Sequence, residues 1–190
     1  MRKIIIGISG ASGSIYGVRL LEVLFNMGIE THLVVSEAGK LVVKHECGLD
    51  YSELQRWASK TYNVADFTAA IASGSFHTSG MVIAPCSMKT LGMIAGGIAD
   101  NLMIRAADCI MKEGRKLILV PREAPLTAIH LENMLKLARL GVHIVPASPG
   151  FYHLPQTLQQ ATDMIVGKVC DLLDIKHQLF KPWEGMQPEV

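Results

Sequence analysis

IIIGISGASGSIYG, residues 4–17, is the stretch that decides the fold of this chain. An apolar run enters a turn of Gly, Ala and Ser, and the residues after the turn follow helical spacing. A strand, a tight turn and a helix in this order open a doubly wound parallel sheet, and they aim backbone N–H groups at an anion above the sheet. The stretch therefore predicts an α/β fold with an anion site at the end of its first strand.

The rest of the chain repeats this alternation of apolar runs and helical segments. We predict strands that are apolar nearly throughout, as parallel strands covered on both faces are, at Lys3–Ile8, Thr31–Val35, Met81–Ala84, Leu117–Val120 and His143–Val145. We predict helices at Gly13–Asn26, Leu102–Lys112, Leu126–Leu140 and Leu158–Leu173, and another that opens at Ser87. This order predicts a single-domain doubly wound parallel sheet, Rossmann-like or flavodoxin-like, with helices on both faces. Residues 48–63 stay ambiguous.

Composition limits the class of protein. The 190-residue chain is 49% hydrophobic and 18% charged, with a net charge of +1, which argues against disorder and against nucleic-acid binding. No apolar run reaches the about 20 residues that span a bilayer, and no apolar leader follows the first residues, so we expect a cytoplasmic protein without a membrane partner. The high apolar content favours a homo-oligomer. We expect residues 1–179 to form the domain and residues 180–190 an irregular tail.

The four cysteines predict neither a disulfide framework nor a metal site. They are Cys47, Cys86, Cys109 and Cys170, which lie far apart and form no C-x-x-C pair. We therefore expect them to be reduced and, for the most part, packed in the core.

The glycines of the opening turn narrow the choice of anion. The spacing of Gly7, Gly10 and Gly13 is G-x-x-G-x-x-G, whereas a dinucleotide fingerprint reads G-x-G-x-x-G. NAD is therefore a second choice of ligand for this turn, after a mononucleotide. A P-loop needs a lysine after its last glycine, and Ser14 stands there instead. Two interpretations remain open on this motif alone: a mononucleotide phosphate held by backbone N–H groups and by serine hydroxyls, at Ser9, Ser12 and Ser14, or a merely tight turn.

Polar residues also follow three other predicted strands. Ser36 follows the second strand, and Ser87, Lys89 and Thr90 open a helix after the third. Arg122 and Glu123 stand side by side between two prolines, directly after a buried strand. Because ligands of doubly wound sheets collect at the carboxyl ends of the strands, these residues favour a site there over a bare turn.

Six motifs give the chain a family resemblance. They are SGASG (9–13), PCSMKTL (85–91), DNLMIRAAD (100–108), VPREAPL (120–126), IHLENML (129–135) and PGFYHLPQ (149–156). In this order, over residues 4 to about 183, the chain resembles the flavin prenyltransferase family of UbiX/Pad type. The resemblance implies transfer of a dimethylallyl group from dimethylallyl monophosphate to reduced FMN. The product, prenylated FMN, would serve a partner aromatic acid decarboxylase, and members of the family form dodecamers.

The resemblance also implies roles for single residues. The FMN site would comprise Gly10, Ala11, Ser12, Ser36, Ser87, Met88, Lys89, Thr90 and Arg122. Glu46 would act with the Ser12 hydroxyl on the N5 proton of the flavin. The prenyl phosphate would be held by Arg105, Lys112, Glu123, Tyr152 and Lys168, with Trp183 over the prenyl chain from a neighbouring subunit. Other members carry Arg at position 168, so the lysine here puts phosphate affinity in question.

General chemistry agrees with those residue types. Breaking an allylic C–O bond leaves a cation and a phosphate, so the site needs cationic groups, an aromatic face and an acid, which Glu123 would be. Two alternatives stay open: an FMN-dependent decarboxylase of the phosphopantothenoylcysteine, peptidyl-cysteine or aromatic acid type, and a non-catalytic flavin carrier. The cysteine decarboxylases show P-A-x-x-N-T where this chain has PCSM (85–88).

Overall fold

The computed structural model describes residues 2–183 and 185, and it contains one parallel sheet. The strands are β1 (Lys3–Ile8), β2 (Glu30–Val35), β3 (Lys60–Tyr62), β4 (Gly80–Cys86), β5 (Lys116–Pro121) and β6 (His143–Ile144). Their order across the sheet is β3-β2-β1-β4-β5-β6, and every neighbouring pair is parallel. This is the strand order of doubly wound nucleotide-binding folds, in which the winding reverses between β1 and β4.

Helices cover both faces of the sheet. They are α1 (Ser14–Asn26), α2 (Glu37–Cys47), α3 (Tyr51–Gln55), α4 (Met88–Gly96), α5 (Leu102–Lys112), α6 (Ala128–Arg139) and α7 (Leu158–Leu172), with a short 3₁₀ turn at Ala70–Ala72. In the described part of the chain no helix has the length and apolar character needed to cross a membrane.

The alternation of side chains along β1 divides the core into two layers. Ile4, Ile6 and Ile8 point to the layer built with α1 and α7, whereas Ile5 points to the layer built with α4 and α5. All four isoleucines are at most 2% exposed. Each such side chain contributes roughly 1.5–3 kcal/mol by leaving water. A run that is apolar at every position is therefore what a strand covered on both faces requires.

The predicted fold class is confirmed, and most element bounds agree within two residues. The predicted bounds of β1 and α5 match the structure. β2 extends the predicted run by one residue at its start, and β4 and β5 extend theirs by one or two residues at each end. The residues described in the predicted tail, 180–183 and 185, belong to no helix or strand, and residues 184 and 186–190 lie outside the described residues. The domain boundary at residue 179 stays a prediction.

The elements β3, α2 and α3 were not predicted from the sequence. β3 has three residues at the edge of the sheet, of which only Tyr62 is buried, so it produces no apolar run. α2 buries only Gly39 and Val43, and α3 is five residues long and buries only Leu54. Periodicity fails for such elements because a helix or strand that buries so little surface needs few apolar residues.

Close backbone packing sets the position of α1 above the switch in winding. A Cβ atom at Gly17 would overlap the carbonyl oxygen of Ala84, so α1 lies directly on β4 at this glycine. Farther along α1, Arg19 makes a two-point ion pair with Asp163 of α7, Nε to Oδ1 at 2.7 Å and Nη2 to Oδ2 at 3.1 Å. These contacts fix both the start of α1 and the course of α7.

Candidate functional site

The loops after β1, β2, β4 and β5 meet at the carboxyl edge of the sheet, around the switch in winding between β1 and β4. This is where open α/β sheets bind their ligands. The fold brings to this edge all residues that the resemblance assigns to FMN, namely Gly10, Ala11, Ser12, Ser36, Ser87, Met88, Lys89, Thr90 and Arg122. Their binding roles stay predictions.

Ser9 joins the loop after β1 to the loop after β4. Its Oγ donates to the Pro85 carbonyl oxygen at 2.8 Å and accepts from the Ser87 N–H at 2.8 Å, and the Ser9 N–H also donates to Pro85 at 3.2 Å. Ser9 is 1% exposed. Its hydroxyl is therefore used in joining the two loops, which differs from the expectation that it reaches a bound anion.

Two further serines cap helices that begin at this edge. Ser36 Oγ accepts from the Gly39 N–H at 3.0 Å at the start of α2, and Ser87 Oγ accepts from the Thr90 N–H at 3.3 Å at the start of α4. Ser87 Oγ also donates to Thr90 Oγ1 at 3.1 Å. The geometry of an α-helix leaves the earlier N–H groups of each first turn without a partner inside the helix, and such groups can hold an anion at this edge.

The anion at the start of α1 is a side chain of the protein itself. Glu46, near the end of α2, accepts from the Gly13 N–H at 2.9 Å, from the Ser14 N–H at 2.8 Å and from Ser14 Oγ at 2.8 Å. The turn was predicted to bind a phosphate through its backbone N–H groups, but those of Gly13 and Ser14 donate to Glu46 instead. The Ser14 hydroxyl is likewise taken by this carboxylate.

These contacts decide the charge of Glu46. Partial burial by itself would raise the pKa of this carboxyl. The hydrogen bonds from the Ser12 and Ser14 hydroxyls and from the Ser14 and Gly13 amides together outweigh burial, so the pKa lies below its ordinary value. Glu46 is therefore an anion at neutral pH, placed at the positive end of α1.

Arg122 contacts the opening turn from the side opposite Glu46. Its Nε donates to the Ser12 carbonyl oxygen at 3.1 Å. Ser12 itself is exposed, and the structure records no protein acceptor for the N–H groups of Gly10, Ala11 and Ser12 among residues 2–183 and 185. A turn with outward N–H groups, a guanidinium and two helix starts is a donor set that suits a phosphate and a polar ring edge. The residues present therefore fit a flavin mononucleotide.

Glu123 follows Arg122 and is exposed, with its Oε1 accepting from the Ala124 N–H at 3.1 Å. It lies just beyond the carboxyl end of β5, next to the residues assigned to the flavin. A carboxyl group in this place can exchange a proton with a ligand at the edge of the sheet.

Within one chain, Arg105 of α5 contacts other groups and Lys112 of α5 lies at the opposite end of β5 from Glu123. Arg105 Nε donates to the Ala72 carbonyl oxygen at 3.1 Å, and its Nη1 contacts Asp108 Oδ2 at 2.8 Å. Lys112 ends α5 just before β5 begins, whereas Glu123 follows the end of β5, a strand of six residues. A strand of this length spans roughly 17–20 Å. Lys112 and Glu123, two of the residues that the resemblance assigns to the prenyl phosphate, therefore lie apart within one chain.

Tyr152, Lys168 and Trp183 do come together, between α7 and the carboxyl-terminal segment. They line one cavity of about 620 Å³. The rings of Tyr152 and Trp183 lie 5.4 Å apart between centroids. Lys168 Nζ lies 3.5 Å from Asp171 Oδ2 and 5.3 Å from the centre of the Phe180 ring. The cavity thus has a cation and a hydroxyl beside an aromatic wall, and Trp183 reaches it within the same chain.

Within residues 2–183 and 185, no cluster of three or more His, Cys, Asp or Glu side chains is placed to hold a metal ion. Burial raises the pKa of the Cys86 thiol, which is fully enclosed beside the site. A thiol in this condition is a poor nucleophile.

A doubly wound protein with a mononucleotide site at its switch point is the class that this geometry defines. The flavoprotein family matches residues 1–181 of the chain. Named relatives are flavin prenyltransferase UbiX of Saccharolobus solfataricus, 48% identical with 97% of this chain and 93% of the relative covered, and that of Methanothermobacter thermautotrophicus, 45% identical with 97% of each covered. The chain belongs to the flavin prenyltransferase family within the flavoproteins.

Solved structures agree with this assignment. A structure described as AnUbiX (PadA1) with FMN and dimethylallyl pyrophosphate is 39% identical, covers 98% of this chain and 99% of its own, and gives a TM-score of 0.96. A dodecameric FMN-dependent UbiX-like decarboxylase from Escherichia coli O157:H7 is 47% identical over 96% of this chain and all of its own, with a TM-score of 0.94. Peptidyl-cysteine decarboxylase EpiD, at 17% identity and a TM-score of 0.64, shares the fold alone.

Neither the contact of Ser14 with Glu46 nor the contact of Arg122 with the turn was predicted from the sequence. The Ser14–Glu46 contact joins residues 32 positions apart, and the Arg122–Ser12 contact joins residues 110 positions apart. The glycine turn did signal an anion, but nothing in the local sequence identifies that anion as a side chain of α2.

Proposed function

We propose that this protein is a flavin prenyltransferase that moves a dimethylallyl group from its phosphate ester to reduced FMN. The observation that carries the proposal is the likeness to a solved relative described with FMN and dimethylallyl pyrophosphate, at a TM-score of 0.96. The donor set at the carboxyl edge of the sheet supports it, because it suits one phosphate and one polar ring edge.

The carboxyl edge of the sheet would hold FMN. The N–H groups of Gly10, Ala11 and Ser12, the helix starts at Ser36 and Ser87–Thr90, and the Arg122 guanidinium supply donors there. Reduced FMN, when bound, supplies the nucleophile that accepts the dimethylallyl group. The protein residues bind the flavin, set its orientation and keep water from the reacting carbon.

The cationic residues would hold the phosphate of the donor. As the allylic C–O bond breaks, negative charge grows on the phosphate, and Arg105, Lys112 and Lys168 stabilise it together with the Tyr152 hydroxyl. The aromatic face of Trp183 lies beside Tyr152 and would cover the prenyl group, whose developing positive charge an aromatic ring stabilises. Lys168 offers a compact charge in place of the two-point contact of an arginine.

Two carboxyl groups would move protons. Glu123, exposed next to Arg122, would donate a proton to the departing phosphate. Glu46 is held as an anion by its hydrogen bonds with the start of α1, and together with the Ser12 hydroxyl it would accept a proton from the flavin edge. The two groups lie on different loops and would therefore act on different bonds.

An oligomer would complete the divided phosphate site. α6 and the segments beside it expose large apolar side chains, at Leu126, Ile129, Leu131, Leu135 and Leu140. Such surface needs a protein partner, and a relative 47% identical is described as dodecameric. We propose the same assembly here, with Arg105 and Lys112 of one subunit facing Lys168 and Tyr152 of another.

The product would leave for a separate decarboxylase of aromatic acids, which uses prenylated FMN. A second candidate function is decarboxylation by this chain itself, which the description of the relative from Escherichia coli O157:H7 as a decarboxylase favours. The two functions differ in whether the flavin gains mass.

The test is anaerobic incubation of the protein with FMN, a reductant and either dimethylallyl monophosphate or dimethylallyl pyrophosphate. We expect the extracted flavin to gain the mass of one dimethylallyl group, and the comparison of the two donors identifies which phosphate ester is used. Unmodified flavin with both donors would contradict the proposal. Release of CO₂ from an aromatic acid with unmodified flavin would support the decarboxylase instead.

A further inference from the structure

The hydroxyl of Ser14 is a buried polar group at the edge of the proposed flavin site. Ser14 is 0% exposed and is the first residue of α1. Its Oγ donates to Glu46 Oε2 at 2.8 Å and lies 3.4 Å from Cys47 Sγ. A hydroxyl that is buried without a partner is costly, so this contact holds both groups in place.

The helix start explains why the Glu46 carboxylate is needed there. Gly13, the residue that caps α1, has a φ of 96° and no side chain, and the first turn of α1 carries no acidic residue. Glu46 therefore supplies from α2 both the capping oxygen and the negative charge that a helix start favours.

The peptide between Ser12 and Gly13 is held from both sides. Its carbonyl oxygen accepts from Arg122 Nε at 3.1 Å, and its N–H donates to Glu46 Oε2 at 2.9 Å. A cation and an anion on opposite sides of one peptide fix its plane. The Cα atom that carries the Ser12 side chain is next to this peptide. The direction of that side chain therefore depends on where Glu46 lies.

The groups around Glu46 are known on each packed element. Cys47 of α2 and Tyr16 of α1 lie beside the turn, and Arg122 reaches it from the loop after β5. Among the described residues, the causes that set the pKa of Glu46 are burial and hydrogen bonds from Ser12, Ser14 and Gly13. Ser14 is the residue that gives this carboxylate two of its donors, the N–H and the hydroxyl.

We propose that Ser14 is a positioning residue, whose hydroxyl holds the Glu46 carboxylate against the start of α1 and so directs the Ser12 hydroxyl toward the flavin. The contact is a property of the chain by itself, and its catalytic consequence rests on the proposed function. Removal of the hydroxyl leaves Glu46 with one donor fewer, which makes the ionised carboxylate less favourable and its position less fixed.

The first test measures Glu46 directly in the full-length, FMN-free protein. Infrared difference spectra of protein labelled with ¹³C-glutamate, recorded against pH, follow the carboxyl band, and Glu46→Gln identifies it. We expect the titration midpoint of this band to move to higher pH in Ser14→Ala and to return toward the original value in Ser14→Thr, which keeps a hydroxyl. Thr162→Val, which removes a buried hydroxyl from α7, is the matched control and should not move it. An unchanged midpoint in Ser14→Ala would overturn the proposal.

The second test separates this proposal from the function proposed above. If Glu46 takes a proton during prenyl transfer, the acid side of the pH–rate profile should move to higher pH in Ser14→Ala, with the rate at high pH little changed. A moved infrared midpoint with an unmoved rate profile would refute the directing role of Ser14 in catalysis. Failure of the unchanged protein to make prenylated FMN would refute the proposed function, whereas the infrared midpoint would still decide the Ser14 contact.

Discussion

Glu46 and Glu123 are two residues of one type in different surroundings at the same edge of the sheet. Glu46 accepts three hydrogen bonds from the start of α1 and is held as an anion. Glu123 is exposed, and its recorded bond is to the amide of its neighbour Ala124. The donors around Glu46 hold it as an anion, and the roles that we propose for the two carboxyl groups in proton transfer stay predictions.

Glu123→Gln should slow the formation of prenylated FMN without changing the affinity for oxidised FMN. Glutamine keeps the size of the side chain but has no proton to give to the departing phosphate, which costs on the order of 10²–10⁴-fold in rate. The measurement is a single-turnover rate by mass spectrometry, together with FMN titration by fluorescence. Glu132→Gln, on the exposed face of α6, is the control. A Glu123→Gln rate equal to that of the control would remove Glu123 from the mechanism.

His32 makes the stability of the fold depend on pH, far from the site. The ring is 4% exposed, its Nδ1 lies 2.8 Å from the Tyr62 hydroxyl and its Nε2 lies 3.0 Å from Glu30 Oε1. Burial lowers the pKa of His32 more than the contact with Glu30 raises it. In the unfolded chain His32 binds a proton below about pH 6.5, whereas in the folded chain it does so only at lower pH.

The free energy of unfolding should therefore fall as pH drops from about 6.5 toward the lower pKa of folded His32, by at most about 1.4 kcal/mol per pH unit for this group. Urea unfolding at pH 7 and pH 5.5 measures the effect. We expect a smaller fall for His32→Gln, and an unaltered fall for His77→Gln, whose ring is exposed. Equal falls in the unchanged protein and in His32→Gln would show that His32 does not set this dependence.

At the scale of elements, the approach of α1 to β4 joins the fold to the site. The helix starts at the turn that Glu46 and Arg122 hold, and Gly17 then rests on the backbone of β4. A shift of this helix would move the turn as well, because Ser14 and Gly17 lie within one turn of each other. Packing at Gly17 is thus a condition for the geometry of the turn.

Gly17→Ala should destabilise the protein by about 1–3 kcal/mol, because its methyl group would overlap the Ala84 carbonyl oxygen and push α1 away from β4. It should also weaken FMN binding. Gly92→Ala in the middle of α4 is the matched control, since its methyl group would meet Asn133 Nδ2 at 3.4 Å. There, alanine favours the helix and should not lower stability. Equal urea midpoints for the two variants would contradict this account of the α1–β4 contact.

At the scale of the whole molecule, a single chain does not assemble the proposed phosphate site. Lys112 lies where β5 begins and Glu123 where it ends. Lys168 and Tyr152 line a cavity beside the tail. The exposed apolar residues of α6 indicate contact with further copies, in which a neighbour can supply the missing cations.

Subunit mixing tests this arrangement. Arg105→Ala and Lys168→Ala should each raise the concentration of dimethylallyl phosphate that is needed, because each removes a charge from the phosphate site. If the two residues of one site come from different subunits, mixed and reassembled oligomers of the two variants contain some intact sites, and part of the activity should return. No recovery, with mixing confirmed by mass spectrometry of the intact oligomer, would place both residues in one subunit's site.

The sequence by itself determined the fold and was enough to predict where the site lies. Five strands and five helix starts follow from apolar runs and from residues such as Ser87, because strands covered on both faces must be apolar at every position. The glycine turn and the polar residues after the strands were enough to place a ligand at the carboxyl edge, since parallel strands bring their ends together. The resemblance to the flavin prenyltransferase family then indicated the reaction.

Only the tertiary structure decided which groups meet. Glu46 is the anion at the start of α1, and the Ser9 hydroxyl joins two loops. The cavity that Tyr152 and Lys168 line includes neither Arg105 nor Lys112. All of these findings depend on how distant segments pack. β3, α2 and α3 were missed because they bury few residues. Local patterns record burial within one element, whereas these partners are set by how the elements pack, which no short stretch of sequence contains.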